Sequence, residues 1–277
     1  MKKRWMTGYL FIMPGFIGIL VFIIMPYMDV VRRAFVQTAA GRFIGMNNFI
    51  EVFQNKAFGL AMGNTVRFVA VCIPILLALS LGIAVLLTKN SQVSKVIKTG
   101  VLIPMAIPVA SVVLLWQFFF HGNGFLNGFL HIFGVNGPDW MNTSYSFGIL
   151  VFSYVWKNLG YTVILWLAGI SMIPGDIYEA ARVDGAGEWQ CFWKMTIPNL
   201  KGTFFTVTVI SLLNSFKVFR EAYLVAGDYP NGSIYLLQHL FNNWFRNLDL
   251  DKMAAGAVTL SVVLLVLILG LWGRRKE

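Results

Sequence analysis

Charge is scarce in this sequence. Only 12 % of its 277 residues are Asp, Glu, Lys or Arg, against 57 % hydrophobic. That balance excludes a soluble α/β enzyme and intrinsic disorder. Cysteine is nearly absent. Cys72 and Cys191 make no disulfide framework, and since Cys72 lies in an apolar run and Cys191 in a polar loop, no bond between them is expected. Three histidines, His121, His131 and His239, form no ligand-spaced group with cysteines or acids, so no metal site is expected. There is no Gly-Lys dipeptide, so the phosphate-cradling GxxxxGK[ST] loop is missing. No Ser-His-Asp or His-Glu zinc arrangement is visible either. Catalytic residues and cofactors are therefore not expected in this chain. A lipid-acting membrane enzyme would need a reactive cluster near an interface, and none stands out. Glu221 is the one acid well inside an apolar run, and no internal repeat is evident. Both facts argue against an ion-driven secondary transporter.

What the chain has instead is long apolar runs. A bilayer core about 30 Å thick needs roughly 20 apolar residues per helix. Six runs meet that length, at 9–28, 64–88, 101–120, 147–173, 203–225 and 253–272. The expected fold is an all-α membrane protein with six transmembrane helices. The first run has the basic start of a secretory signal but is too long for one and has no small-residue cleavage site, so it reads as a retained helix. Pro14 and Pro26 predict kinks in it, and Pro104 and Pro108 predict a bend in the third. Asp29 is placed to pair with Arg32 or Arg33 one turn on. Arg67 reads as an interfacial anchor. Residues 37–63 read as an external connection with a short helix at 46–54. Residues 121–145, without Lys or Arg, read as a second external segment with a short helix bearing Phe125, Leu126, Phe129 and Leu130. The expected division is 1–60 for the first helix and connection, 61–272 for a domain of the other five helices, and 273–277 for a tail.

The formal charge of +10 does not point to nucleic acid, because the basic residues flank apolar runs. Alternation from an inside start collects Lys2, Lys3 and Arg4; Lys89, Lys95 and Lys98; Arg182, Lys194 and Lys201; and Arg274, Arg275 and Lys276 on one side. By the positive-inside rule that side is the cytoplasm, which takes both termini. Arg32, Arg33, Arg42 and Lys56 run against the pattern.

One polar stretch interrupts the apolar sequence, IYEAARVDGAGEWQCFWKMTIP at 177–198. Pro174-Gly175 stops the preceding helix. Asp176 is expected to cap a short helix over 178–183, and Asp184-Gly185 to end it. A second short helix over 188–195 carries Trp189, Phe192 and Trp193 on one side. Small residues around the turn would let another protein approach the backbone. The competing reading is an amphipathic helix lying on lipid.

Glu179-Ala180-Ala181, then Gly185, then Met195-Thr196-Ile197-Pro198 resemble the EAA loop of the permease subunits of ABC importers, with Met195 where isoleucine is usual. The resemblance is to the carbohydrate branch, the maltose and glycerol-phosphate uptake type. It implies a type I importer permease fold whose coupling helix lies in the 174–202 loop. It also implies a second homologous permease, two ATPase subunits that hold ATP and Mg, and an extracytoplasmic solute-binding protein, all in a bacterial inner membrane. The residues it assigns to ATPase coupling are Glu179, Ala180, Ala181, Asp184, Gly185, Ala186, Ile197 and Pro198.

A substrate path needs hydrogen-bonding groups and aromatic faces among the apolar helices. Lys157, Asn158, Gly160 and Tyr161 lie mid-helix in the fourth run. Ser211, Asn214, Ser215 and Val218 share one face of the fifth at helical spacing, with Lys217 beside them. In maltose-type permeases the matching regions contact sugar, and the fifth-helix match requires a one-residue gap. Lys157 could instead pack against another subunit, and Lys217, Arg220 and Glu221 could form an edge ion-pair cluster through the Lys217–Glu221 spacing. With only Lys157 and Lys217 expected to face a path, a neutral sugar is preferred over a polyol, a glycerol phosphate ester or another solute.

Overall fold

The computed structural model describes residues 2–89 and 100–276. Lys95 and Lys98 lie outside the described residues. Among the described residues, six helices are long and apolar enough to cross a membrane: Tyr9–Ala34, Lys56–Thr88, Val109–Ile132, Ser146–Ser171, Lys201–Leu224 and Leu250–Gly273. The chain folds as two compact units, residues 1–59 with 240–266, and residues 60–239 with 267–277.

In the first unit, α1 runs over Lys2–Ile19, passes through a π-turn at Leu20–Ile24 and continues as Met25–Ala34. The π-turn sits just before Pro26, whose nitrogen cannot donate to the turn behind it. Asp29 pairs with both candidate cations, Arg32 at 2.9 Å and Arg33 at 2.7 Å. A two-residue hairpin follows, β1 (Val36–Gln37) with β2 (Arg42–Phe43). It turns on Gly41 at φ +62°. Helix α2, Asn47–Gln54, is anchored by buried Asn48, whose amide donates to the Ala34 and Val36 carbonyls at 3.1 Å. Helix α12 (Leu237–Arg246) brings Trp244 onto Phe58, and the first turns of α13 (Leu250–Lys276) lay Gly256 against Phe241 and Trp244.

In the second unit, α3 (Lys56–Lys89) carries Phe68, Cys72 and Leu76 into a core with Leu150, Tyr154 and Val155 of α7 (Ser146–Ser171). Arg67 lies over the Phe147 ring, 4.2 Å from its centroid, a cation–π contact. The third run is broken, as its prolines predict. A helical segment α4 at 100–106 ends at Ile107-Pro108, and α5 resumes at Val109–Phe120. Short α6, Phe125–Ile132, follows. Beneath it Asn127 donates to the Gly122, Gly137 and Pro138 carbonyls and accepts from Trp140, which ties the 121–145 segment together. The fifth span is α10 (Lys201–Ser215), a 3₁₀ turn (Phe216–Val218) and α11 (Phe219–Ala226).

Between apolar helices, small residues and hydrogen bonds supply the cohesion that the hydrophobic effect cannot supply in lipid. Trp166 donates to Ser80 at 3.0 Å, Trp116 to Ser153 at 2.8 Å, and Tyr154 to the Ser211 carbonyl at 2.6 Å. A Cβ at Gly160 would strike the Val101 carbonyl, and one at Gly169 the Thr203 side chain. Those two glycines let α4 and α10 lie directly against α7.

Candidate functional site

The polar stretch over 174–199 is a two-armed elbow. Arm α8, Gly175–Val183, begins three residues earlier than expected: Pro174 stands at the cap position in place of Asp176, and no side chain caps the helix. Asp176 lies in the first turn instead, where the helix dipole favours its charge. The arm ends as the sequence predicts. The Ala186 amide donates to Ala181 O at 2.9 Å and the Gly185 amide to Arg182 O at 3.0 Å, a Schellman closure. Gly185 sits at φ +81°. The second arm, α9, starts at Glu188–Cys191, loosens into a π-turn at Phe192–Thr196 and closes at Ile197–Asn199. Tyr178 bridges the arms through the Thr196 hydroxyl at 3.0 Å, and Arg182 meets Glu188 at 3.4 Å.

The elbow's surface divides its residues. Glu179, Ala180, Asp184, Gly185 and Pro198 are exposed, and Ala186 and Ile197 half-buried. Ala181 is turned into the elbow and buried. Trp189 and Trp193 stand out, 72 % and 52 % exposed. A hollow of about 900 Å³ under the elbow is lined by Gly82 and Thr88 of α3, Ile170 of α7, and Tyr178, Arg182 and Trp189.

A second cavity, of about 770 Å³, opens along α7, α10 and the α4–α5 break. Its wall carries Lys157, Asn158, Tyr161, Asn214, Lys217 and Val218. The other three residues assigned to the path lie elsewhere. Gly160 is buried at the α4 crossing. Ser211 and Ser215 are buried; the Ser211 carbonyl accepts from Tyr154, and Ser215 donates to Leu212 O at 2.6 Å. The face at i, i+3, i+4, i+7 therefore splits into a cavity side and a packed side. Residues not anticipated also line it: Tyr154, Ile210, Leu213, Arg220, Glu221 and the stretch 105–109. The prolines at 104 and 108 marked that last stretch as a bend, which was the available signal.

The ion pairing differs from the spacing argument. Glu221 pairs with Lys157 across the helices, Nζ to Oε1 2.6 Å, and not with Lys217. Lys217 donates to Asn214 Oδ1 at 2.9 Å. The 3₁₀ turn at Phe216–Val218 is the reason, since it changes the angular offset that an α-helix would give residues four apart. Just beyond, His239 is fully buried between Phe219 and Tyr235, and its Nδ1 accepts the Leu236 amide at 3.2 Å. Burial pushes its pKa down to about 4 despite the opposing charge of Asp228.

The sequence pattern of the binding-protein-dependent transport system inner membrane component matches residues 74–274. The chain belongs to this family. A trehalose/maltose transport system permease of Thermococcus litoralis is 31 % identical over 266 residues, 94 % of this chain and 90 % of its own. A sulfoquinovosyl glycerol transport system permease of Agrobacterium fabrum is 30 % identical, covering 79 % and 72 %. An sn-glycerol-3-phosphate transport system permease of Salmonella typhimurium is 27 % identical, covering 96 % and 92 %. Among solved structures, a chain of a bacterial ABC transporter involved in the import of alginate superposes with TM-score 0.86 at 24 % identity, covering 99 % of this chain and 96 % of that one. The architecture is thus that of the inner-membrane component, with elbow and cavity both inside the family's matched region.

Proposed function

We propose that this chain is the membrane-spanning permease subunit of an ATP-driven importer, and that it carries a sugar or oligosaccharide from an extracytoplasmic binding protein into the cytoplasm. The observation that carries the reading is the cavity wall. Asn158, Tyr161 and Asn214 offer hydrogen bonds and an aromatic face among apolar helices, the mixture that saccharide rings require. The relatives whose names include trehalose, maltose and sulfoquinovosyl glycerol support a saccharide over a simple ion.

The chain works in this reading with a second homologous permease and two ATPases that bind ATP and Mg. It docks the ATPases through the elbow, with Glu179, Ala180, Asp184, Gly185, Ala186, Ile197 and Pro198 at or near the contact and Ala181 holding its interior. Both termini and the elbow lie in the cytoplasm, residues 61–272 form the transporting domain, and 273–277 are a tail.

Mechanically, the elbow is braced by the Tyr178–Thr196 bridge and lies between α7 and α10 in the chain. Both helices wall the cavity. Moving the elbow as a rigid piece therefore moves the wall. ATP closes the ATPase pair, the elbows approach, and the cavity turns outward to receive solute; hydrolysis resets it. The ATPases drive the change because they bind the elbow differently in the two states. The test is uptake by proteoliposomes holding the complete importer, with Asn158→Leu and Asn214→Leu. We expect uptake to fall about tenfold or more while the complex still assembles. Undiminished uptake in both variants removes the cavity from the path.

A further inference from the structure

Four charged side chains line the cavity: Lys157, Lys217, Arg220 and Glu221. They do not contribute equally. Lys157 and Glu221 neutralise each other at 2.6 Å, and the Glu221 side chain is only 7 % exposed. The second carboxylate oxygen, Oε2, is buried without a hydrogen-bond partner. Drawing Lys157 away toward a solute would strand a buried negative charge, which is strongly unfavourable. Lys157 is therefore committed to Glu221.

Lys217 and Arg220 are uncommitted. Lys217 is held by the neutral amide oxygen of Asn214, 2.9 Å away. Both cations are exposed, and neither has a carboxylate partner among the described residues. The 3₁₀ turn between α10 and α11 brings both onto the cavity wall. The wall thus presents two uncompensated positive charges beside one internally cancelled pair. Charged side chains in a spanning segment are costly and call for a reason. A low-dielectric wall also strengthens their field over its value in water. Hydroxyl groups of a neutral sugar are already served by Asn158, Tyr161 and Asn214, and they gain little from two cations. A carboxylate, sulfonate or phosphate gains much, and a guanidinium suits planar or tetrahedral oxyanions by its paired donors.

We propose that the solute is an acidic saccharide, a sugar carrying at least one anionic substituent, and that Lys217 and Arg220 select it. This rests on the saccharide-importer reading and replaces the neutral sugar expected when Arg220 was assigned to an edge cluster. The experiment uses the complete importer in proteoliposomes with its paired permease, ATPases and binding protein. The probes are matched pairs of one to four rings: galactose oligomers against galacturonate oligomers, glucose against its 6-sulfonate, and glucose against its 6-phosphate. We expect at least one acidic member to enter about tenfold or more faster than its neutral counterpart. The Lys217→Gln/Arg220→Gln double variant should collapse that ratio, and Lys217→Arg should retain it, with assembly verified by co-purification. The particular acidic partner that enters identifies the anionic group. Equal or faster entry of neutral sugars overturns the acidic-solute inference and leaves the importer reading intact. An unchanged ratio in the double variant overturns the assignment to these residues. Failure of every saccharide, with a non-saccharide solute stimulating ATP hydrolysis, overturns both readings.

Discussion

A carboxylate deep in an apolar helix holds its charge only beside a cation, and Glu221 finds one in Lys157 across two helices. Replacing Glu221 with Gln leaves Lys157 uncompensated, and we expect a loss of about 3 kcal/mol of stability, the low end for a buried pair because Lys157 is partly exposed. The Glu221→Leu/Lys157→Met pair should recover most of that loss, as read by thermal unfolding in detergent. A merely additive loss would mean that the pair is not coupled. His239 predicts a pH dependence. Burial holds its folded pKa at about 4, below the ordinary histidine value of 6.5. Between those values the unfolded chain binds a proton that the folded chain refuses. Stability is then flat above about pH 6.5 and falls as pH drops toward 4, by a total on the order of 3 kcal/mol. A His239→Gln variant, measured by the same unfolding assay from pH 7 to pH 4, should lose that part of the slope. At this scale the sequence supplied the right residue types but not always the right partners. Lys217 and Glu221 had helical spacing, yet the helix changes winding between them.

At the scale of elements, the elbow was the most legible feature. Proline, glycine and the small-residue turn are local signals, and the Schellman closure at Gly185 follows from them. A Cβ at Gly185 meets nothing within 4 Å, while its φ is +81°. A Gly185→Val substitution therefore acts through backbone strain of about 1–2 kcal/mol and through the exposed surface, not through a clash. We expect the variant to insert and to assemble, but to lose binding-protein-stimulated ATP hydrolysis. Normal stimulation would argue against the elbow as the transmitting piece. The hairpin at 36–43 was not legible, because two-residue strands carry no periodicity. Nor was the pinning role of Asn127, whose partners lie up to thirteen residues away.

At the scale of the whole molecule, orientation is the property on which the import reading turns. Val183 is 88 % exposed at the elbow tip, and both native cysteines are buried. A Val183→Cys variant should therefore react with a membrane-impermeant maleimide in inverted vesicles and resist it in right-side-out cells. Labelling from the outside would reverse the topology and end the coupling assignment. The charge distribution around the spans sets this expectation.

Six apolar runs, the polar elbow between the fourth and fifth, and the proline breaks were determined by the sequence alone. Each depends on hydropathy or turn chemistry within one or two dozen residues, where the chain's own composition decides. Tertiary structure alone decided which side of α10 faces the cavity, why Gly160, Ser211 and Ser215 turn away from it, and which base neutralises Glu221. Those outcomes depend on two glycine crossings against α7 and on one short turn of tighter winding. Distances between helices far apart in the chain are set by packing, and no local pattern encodes them.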